Sequence, residues 1–249
     1  MRRNYISGIR LKMPVDAASY LNDLPVVQYL SQAKLMEFPN AVTFLVGENG
    51  MGKSTLLEAI AIAYGFNPEG GSRNFNFSTN ASHSELYRHL TLVKSAYPED
   101  GFFLRAESFY NAASYIDLLD SIPARRPPIT TSYGGKSLHK QSHGESFLAL
   151  VANRFSGNGL YLLDEPEAAL SPNRLMTLMV HINALVGQNS QFIIATHSPI
   201  LMAYPGAQVY ELAQAGIRPI NYRDTDHYQL TRRFLENPEK MLHYLLNER

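Results

Sequence analysis

The apolar run Ala41-Val42-Thr43-Phe44-Leu45-Val46 leads directly into Gly47-Glu48-Asn49-Gly50-Met51-Gly52-Lys53-Ser54-Thr55. No other stretch constrains the fold as strongly. The pattern G-x-x-x-x-G-K-[ST] needs glycines so that the backbone can curl and aim successive N–H groups at one anion. It also needs a helix beginning beside them, whose positive end adds to the attraction. Lys53 supplies an ammonium for β- and γ-phosphates, and the Ser54 hydroxyl can ligate Mg²⁺. A Gly-rich strand-to-helix turn with no ligand would share the local pattern. The strand before it and the apolar helix Leu56–Tyr64 after it favour a nucleotide-binding loop.

The rest of the chain is organised around such a unit. Its 249 residues suit one large domain or two small ones. The remaining strand candidates are Phe102–Ala106, Leu160–Leu163 and Gln191–Thr196, short apolar runs of the kind buried in parallel sheets. Ser146–Arg154 and Asn173–Val186 have helical spacing. Strands followed by helices predict an α/β sheet covered on both faces. Asn67–Ser84 and Ile122–Gly135, rich in Gly, Pro and polar residues, are expected to be irregular. Lys plus Arg and Asp plus Glu each number 22, so the net charge is zero, which argues against a strongly basic nucleic-acid binder. The chain has no cysteine, excluding disulfides, thiolate catalysis and Cys-ligated zinc. The N-terminus lacks a signal-peptide apolar region, and no apolar run approaches the ~18 residues of a membrane span. A cytoplasmic location is expected, with any membrane part supplied by another chain.

Leu160-Tyr161-Leu162-Leu163 ends in Asp164-Glu165-Pro166. Successive strand residues point to opposite sides, so the two acids cannot share a role. One can face a Mg²⁺ shell and the other the water beside a γ-phosphate. Acids that merely cap a following helix would look the same in isolation. Ser142 and Glu145 stand as an S-x-x-E capping box before an apolar helix, and the helix start with Gly144 is also an anion site. The run Gln191-Phe192-Ile193-Ile194-Ala195-Thr196-His197 places an imidazole at a strand end, where a structural histidine is the common alternative.

Taken in order, these segments resemble the ABC-type ATPases. Gly47–Thr55 resembles their Walker A, Ser142–Ser146 their signature, and Leu160–Glu165 their Walker B. Ala168–Ser171 resembles the D-loop and His197 the switch histidine. The resemblance implies a P-loop NTPase fold over a single domain, residues 1–249. That fold has a mostly parallel sheet flanked by helices, a helical signature region at about 85–155 and a small antiparallel β part. It also implies ATP and Mg²⁺ as cofactors and a head-to-tail dimer with composite sites. ATP on one subunit's loop (Gly47, Glu48, Asn49, Gly50, Met51, Gly52, Lys53, Ser54, Thr55) would meet Ser142, Gly144 and Glu145 of the other. Glu165 would polarise the attacking water, His197 would contact the γ-phosphate, and Asp164 would support Mg²⁺ through water.

The sequence departs from the family pattern in places. The signature is Gln-Ser-His-Gly-Glu, with His143 where a glycine is usual, and the D-loop ends in Ser171 where Asp is usual. Glu107 lies where the Q-loop glutamine is expected, and Tyr5 or Tyr20 could stack on adenine. Ser142 follows Thr55 by 142 − 55 = 87 positions without heptads, too few for the coiled coil of SMC-type ATPases. After His197 come 249 − 197 = 52, too few for an appended nuclease. The Asp-Glu-Pro-Glu-Ala-Ala-Leu-Ser-Pro and Thr-His-Ser-Pro stretches resemble the RecF/SMC-leaning, AAA-type ATPases. That similarity favours an ATP-gated switch acting on nucleic acid or an effector protein over the alternative, an ATPase subunit paired with a membrane permease. Arg125-Arg126 and Arg232-Arg233 are candidate phosphate contacts, although paired arginines are more often a solvated face.

Overall fold

The computed structural model describes residues 4–72, 84–106 and 142–247. Its centre is a sheet of six strands: β3 (Val42–Val46), β5 (Asp100–Arg105), β6 (Gly159–Asp164), β7 (Gln191–Ala195), β8 (Gln208–Ala213) and β9 (Gly216–Pro219). They lie in the order β5-β6-β7-β3-β8-β9; all neighbours are parallel except the β8–β9 hairpin at one edge. A second, antiparallel sheet joins β1 (Ile6–Leu11), β2 (Met36–Glu37) and β4 (Leu90–Lys94) in the order β2-β1-β4. The fold is therefore the expected mixed α/β type, a mostly parallel sheet flanked by helices.

All four strand expectations match strands of this sheet to within two residues at each end. The helices are α1 (Pro25–Gln32), α2 (Lys53–Tyr64), α3 (Leu86–His89), α4 (His143–Arg154), α5 (Pro172–Gly187), α6 (Pro199–Met202), α7 (Asp226–Glu236) and α8 (Pro238–Asn247). Three of them start before the expected helix, α2 and α4 by three residues and α5 by one, because the apolar stripe begins inside the first residues of each helix. Within the stretch of about 85–155, the described residues form α3, β4, β5 and α4, so its first part is largely strand. Ile122–Gly135, Arg125, Arg126, Glu107 and much of Asn67–Ser84 lie outside the described residues.

Strand alternation divides the core into two layers. Phe44, Leu104, Tyr161, Leu163, Phe192 and Ile194 pack with Phe147 and Leu150 of α4 and Leu178 and Ile182 of α5. On the opposite face, Leu45, Phe103, Leu162 and Ile193 pack with Leu56, Leu57 and Ile60 of α2 and with the small sheet through Ile6, Ile9 and Met36. Both faces are dry, which is why β3, β6 and β7 read as continuous apolar runs rather than alternating ones. Emptying one of these aromatic sites, Phe44→Ala for example, would cost about 3–5 kcal/mol.

The register sets the level at which the chain leaves the sheet. Arg105, Asp164, Ala195 and Leu45 are neighbours in one row across β5, β6, β7 and β3. The segments after them therefore emerge together at the carboxyl ends of the parallel strands, where open α/β sheets bind ligands.

Candidate active site

The loop between β3 and α2 carries left-handed φ at three glycines, Gly47 (136°), Gly50 (82°) and Gly52 (83°). Gly47 is doubly constrained, because a Cβ there would run into the Leu212 carbonyl of β8. Gly52 is the N-cap of α2, and Lys53, Ser54 and Thr55 form the helix's first turn. The first-turn amides have no partner within the helix, so they and the helix dipole can serve an anion. Lys53 is 4% exposed, and its Nζ donates to the Glu48 carbonyl at 2.9 Å. Burial lowers its pKa, with Glu165, Asp164 and Glu167 pulling the other way. The cradle therefore fits a polyphosphate: curled backbone, helix start and one buried ammonium.

Asp164 ends β6 and is 5% exposed. Arg105 Nε lies 3.4 Å from its Oδ2, while Arg105 Nη1 donates to Glu58 Oε2 at 2.6 Å. Glu58 stands on α2, so this chain of charges ties the loop's helix to β5 and β6. Glu165 follows in left-handed backbone (φ 48°, ψ 53°), a conformation rare for a side chain of its type. Its N–H still donates to the Ala195 carbonyl at 3.0 Å. The turn ends the strand's alternation at this residue, leaving Asp164 buried and the Glu165 carboxylate half-exposed.

His197 Nε2 lies 3.5 Å from Glu165 Oε1. Its backbone N–H donates to the Glu167 carboxylate. Burial raises the Glu167 pKa, Glu165 adding to the rise while hydrogen bonds from His197 and Thr196 oppose it. Burial lowers the His197 pKa; Lys53 and His227 add to this and Glu165 opposes it. Ser198 caps α6, its hydroxyl accepting from Leu201 N, and Pro199 opens that helix, so the Thr-His-Ser-Pro run is a rigid strand-to-helix corner.

The signature segment lies elsewhere on the chain. Ser142 is exposed at the N-cap of α4; its N–H and hydroxyl both donate to Glu145 Oε2, at 3.0 and 2.7 Å. Arg174 of α5 donates to the Ser142 hydroxyl at 3.3 Å and pairs with Glu145 Oε1 at 3.2 Å. Those hydrogen bonds hold Glu145 below the usual carboxylate range, with Arg174 contributing. Gly144 is buried against Arg174 and the Ala169 carbonyl, where a Cβ would come within 3.0 Å of that oxygen. The capping-box reading is thus realised, with Arg174 as an added partner that the sequence did not indicate.

The adenine-stacking candidates separate. Tyr5 is 6% exposed and its hydroxyl donates to the Asn189 carbonyl at 3.0 Å, which leaves no ring face for a ligand. Tyr20 is 61% exposed. Two further groups reach the site without a sequence signal of their own. His227 at the start of α7 has its Nε2 3.0 Å from His197 Nδ1, and Arg105 faces Asp164. Neither belongs to a local motif; both are brought in from distant segments.

Comparison with known proteins agrees with this architecture. Residues 137–203 match a family model described as an AAA domain and candidate AbiEii toxin of a type IV TA system, and residues 26–101 match one described as an AAA domain. The ribose import ATP-binding protein RbsA of Roseobacter denitrificans is 29% identical over 196 residues, 70% of this chain and 36% of the relative. RbsA of Bacillus cereus is 26% identical over 206 residues, 76% of this chain and 40% of the relative. The chain thus spans well under half the length of these relatives. In fold it is similar to a metal-chelate-type ABC transporter solved in an inward-facing conformation. That likeness has a TM-score of 0.51 and 16% identity, covering 93% of this chain and 88% of the other. Motif order, fold and these likenesses together support an ABC-type ATPase.

Proposed function

We propose that the chain binds and hydrolyses Mg-ATP and that ATP drives head-to-tail pairing of two copies, a switch acting on nucleic acid or on an effector protein. The observation that carries the reading is the convergence of Lys53, Asp164, Glu165 and His197 at the ends of three adjacent parallel strands. Residues 1–249 are taken as one ABC-type domain, with the signature subregion at about 85–155.

The residues present fit the nucleotide and its metal. Lys53 and the amides of Gly47, Glu48, Asn49, Gly50, Met51, Gly52, Ser54 and Thr55 would hold the phosphates. The Ser54 hydroxyl and Asp164 would hold Mg²⁺, Asp164 through water. The metal would neutralise developing charge on the phosphates. Glu165 orients and polarises water from its half-exposed position, and His197 stabilises charge on the terminal phosphate through Nε2. Ser142, Gly144 and Glu145 would meet the nucleotide held by the other copy; within one chain, Ser142 and Glu145 bond to each other and to Arg174.

A Glu165→Gln variant tests the scheme. It keeps the size and hydrogen-bonding capacity of the side chain but removes its proton-accepting carboxylate. ATP should bind, hydrolysis should nearly stop, and the dimer should accumulate by mass action. Light scattering after size exclusion, with and without Mg-ATP, reads this out. An ATP-independent mass, or retained hydrolysis, would overturn the assignment.

A second reading is supported by the relatives' names: an ATPase subunit working with a membrane permease. Among the described residues no helix is long and apolar enough to cross a membrane. Turnover stimulated by DNA favours the first reading. Co-purification with a membrane protein favours the second.

A further inference from the structure

His227, near the start of α7, reaches the candidate active site. Thr225 caps that helix, its hydroxyl accepting from Tyr228 N, and the helix buries none of its residues. The His227 ring meets that of His197 edge-on, with centroids 4.8 Å apart and planes at 89°. Its Nε2 lies 3.0 Å from His197 Nδ1 and 3.3 Å from the Gly47 carbonyl oxygen. A polar line therefore runs from Glu165 through His197 and His227 to the first glycine of the loop.

Proton accounting on this line has one consistent solution. A carbonyl oxygen only accepts. His227 Nε2 faces one, so it carries the hydrogen and shares it between Gly47 O and His197 Nδ1. His197 Nδ1 must then accept, and the single proton of a neutral His197 sits on Nε2. That N–H faces Glu165 Oε1 at 3.5 Å. With the opposite tautomer, His227 Nε2 would present a lone pair to the Gly47 oxygen, and His197 would present a lone pair to Glu165 and to any phosphate oxygen. Both are repulsive.

We propose that His227 is a positioning residue: it donates to His197 Nδ1, fixing His197 in the tautomer that carries its proton on Nε2, the nitrogen that faces Glu165 and would serve the terminal phosphate. The inference rests on the ATPase reading for its consequence, but not for its geometry. Burial and the neighbouring Lys53 and His227 favour a neutral His197, with Glu165 opposing, and this agrees with an accepting Nδ1. Because α7 buries nothing, replacing His227 need not disturb the core.

Two variants separate hydrogen bonding from bulk. His227→Leu keeps apolar volume and loses the donor. His227→Gln places an amide N–H near the former Nε2. For Leu, kcat should fall about tenfold or more, the scale on which partners that orient a functional histidine act, with KM for ATP within about twofold of wild type. Gln should restore most of the loss. Nitrogen-15 NMR of His197 provides a readout independent of turnover. Nucleotide-free wild type and Gln variant should show the Nε2–H form, and the Leu variant a shift toward Nδ1–H. An unchanged tautomer in the Leu variant, a Gln variant as slow as Leu, or a loss appearing in KM rather than kcat would each overturn the proposal. If the wild type hydrolyses no ATP, the ATPase reading fails, and the NMR result alone decides the role of His227.

Discussion

The Lys53 ammonium donates to the Glu48 carbonyl at 2.9 Å, within its own loop. The side chain is therefore already directed across the cradle, and little rearrangement separates this contact from one to a phosphate oxygen. Lys53→Ala should weaken ATP binding at least about tenfold, the scale of one hydrogen bond to a charged group, 1.5–3 kcal/mol. Nucleotide titration by calorimetry measures it, and near-normal affinity would sink the phosphate-loop assignment.

His197→Ala should slow hydrolysis by roughly 10²-fold, as for one lost transition-state contact, while ATP affinity changes little. The fold holds the His197 pKa below the ordinary histidine value, chiefly through burial. Turnover should accordingly survive mild acidification and decline only as pH passes below that ordinary value. Its stability contribution has the same sign. The unfolded histidine takes its proton first, so the contribution is full above the ordinary value and lost as pH falls through the lowered one. A pH–rate profile of wild type checks the first point, and an unchanged kcat in the alanine variant would make His197 structural.

Ser142→Arg should leave one chain's ATP binding intact and abolish turnover. The recorded side-chain partners of Ser142 are Glu145 and Arg174, and none belongs to the phosphate loop of the same chain. Equilibrium binding of a fluorescent ATP analogue, alongside steady-state phosphate release, separates the two effects. Normal hydrolysis would reduce Ser142 to a helix cap.

Asp100 offers a stability test away from the chemistry. Its Oδ1 pairs with Arg154 at 2.7 Å, and its Oδ2 accepts from Tyr161 at 2.8 Å and from Ser156 Oγ at 3.1 Å. Burial alone would raise its pKa, but Arg154, Tyr161 and the Gly101 amide together bring it below the usual value. Asp100→Asn should cost on the order of 2–4 kcal/mol, because the half-buried Arg154 loses the charge of its Asp100 partner. Urea midpoints should show the loss at neutral pH. The wild-type advantage should shrink as acid passes through the lowered pKa.

Most of the central sheet was legible because β3, β6 and β7 are buried on both faces, so Val42–Val46, Gly159–Asp164 and Gln191–Ala195 are almost uninterrupted apolar text. The β8–β9 hairpin was not. Gln208 and Glu211 break the run in β8, and β9 is short with Arg218 and Pro219 in it. Lys53, Asp164, Glu165 and His197 were legible because each sits in a local motif at a strand end. His227 and Arg105 were not, since each acquires its meaning from tertiary contacts, His227 with His197 30 residues away and Arg105 with Asp164 on the neighbouring strand and Glu58 on α2. Tyr5 failed as a ligand candidate for a related reason, as its hydroxyl is anchored 184 residues away.

The common row through Arg105, Asp164, Ala195 and Leu45 works as a ruler. Adding or deleting one residue within β7 would slide His197 by about 3.3 Å relative to Glu165 and turn the strand's side chains over, exchanging Ile193 with Ile194 between the two core layers. The reach of the imidazole and the sorting of the core are thus locked to one integer. The turns at the opposite ends of these strands, at Asn158 before β6 and Asn189 before β7, lie outside that row, and both carry left-handed backbone.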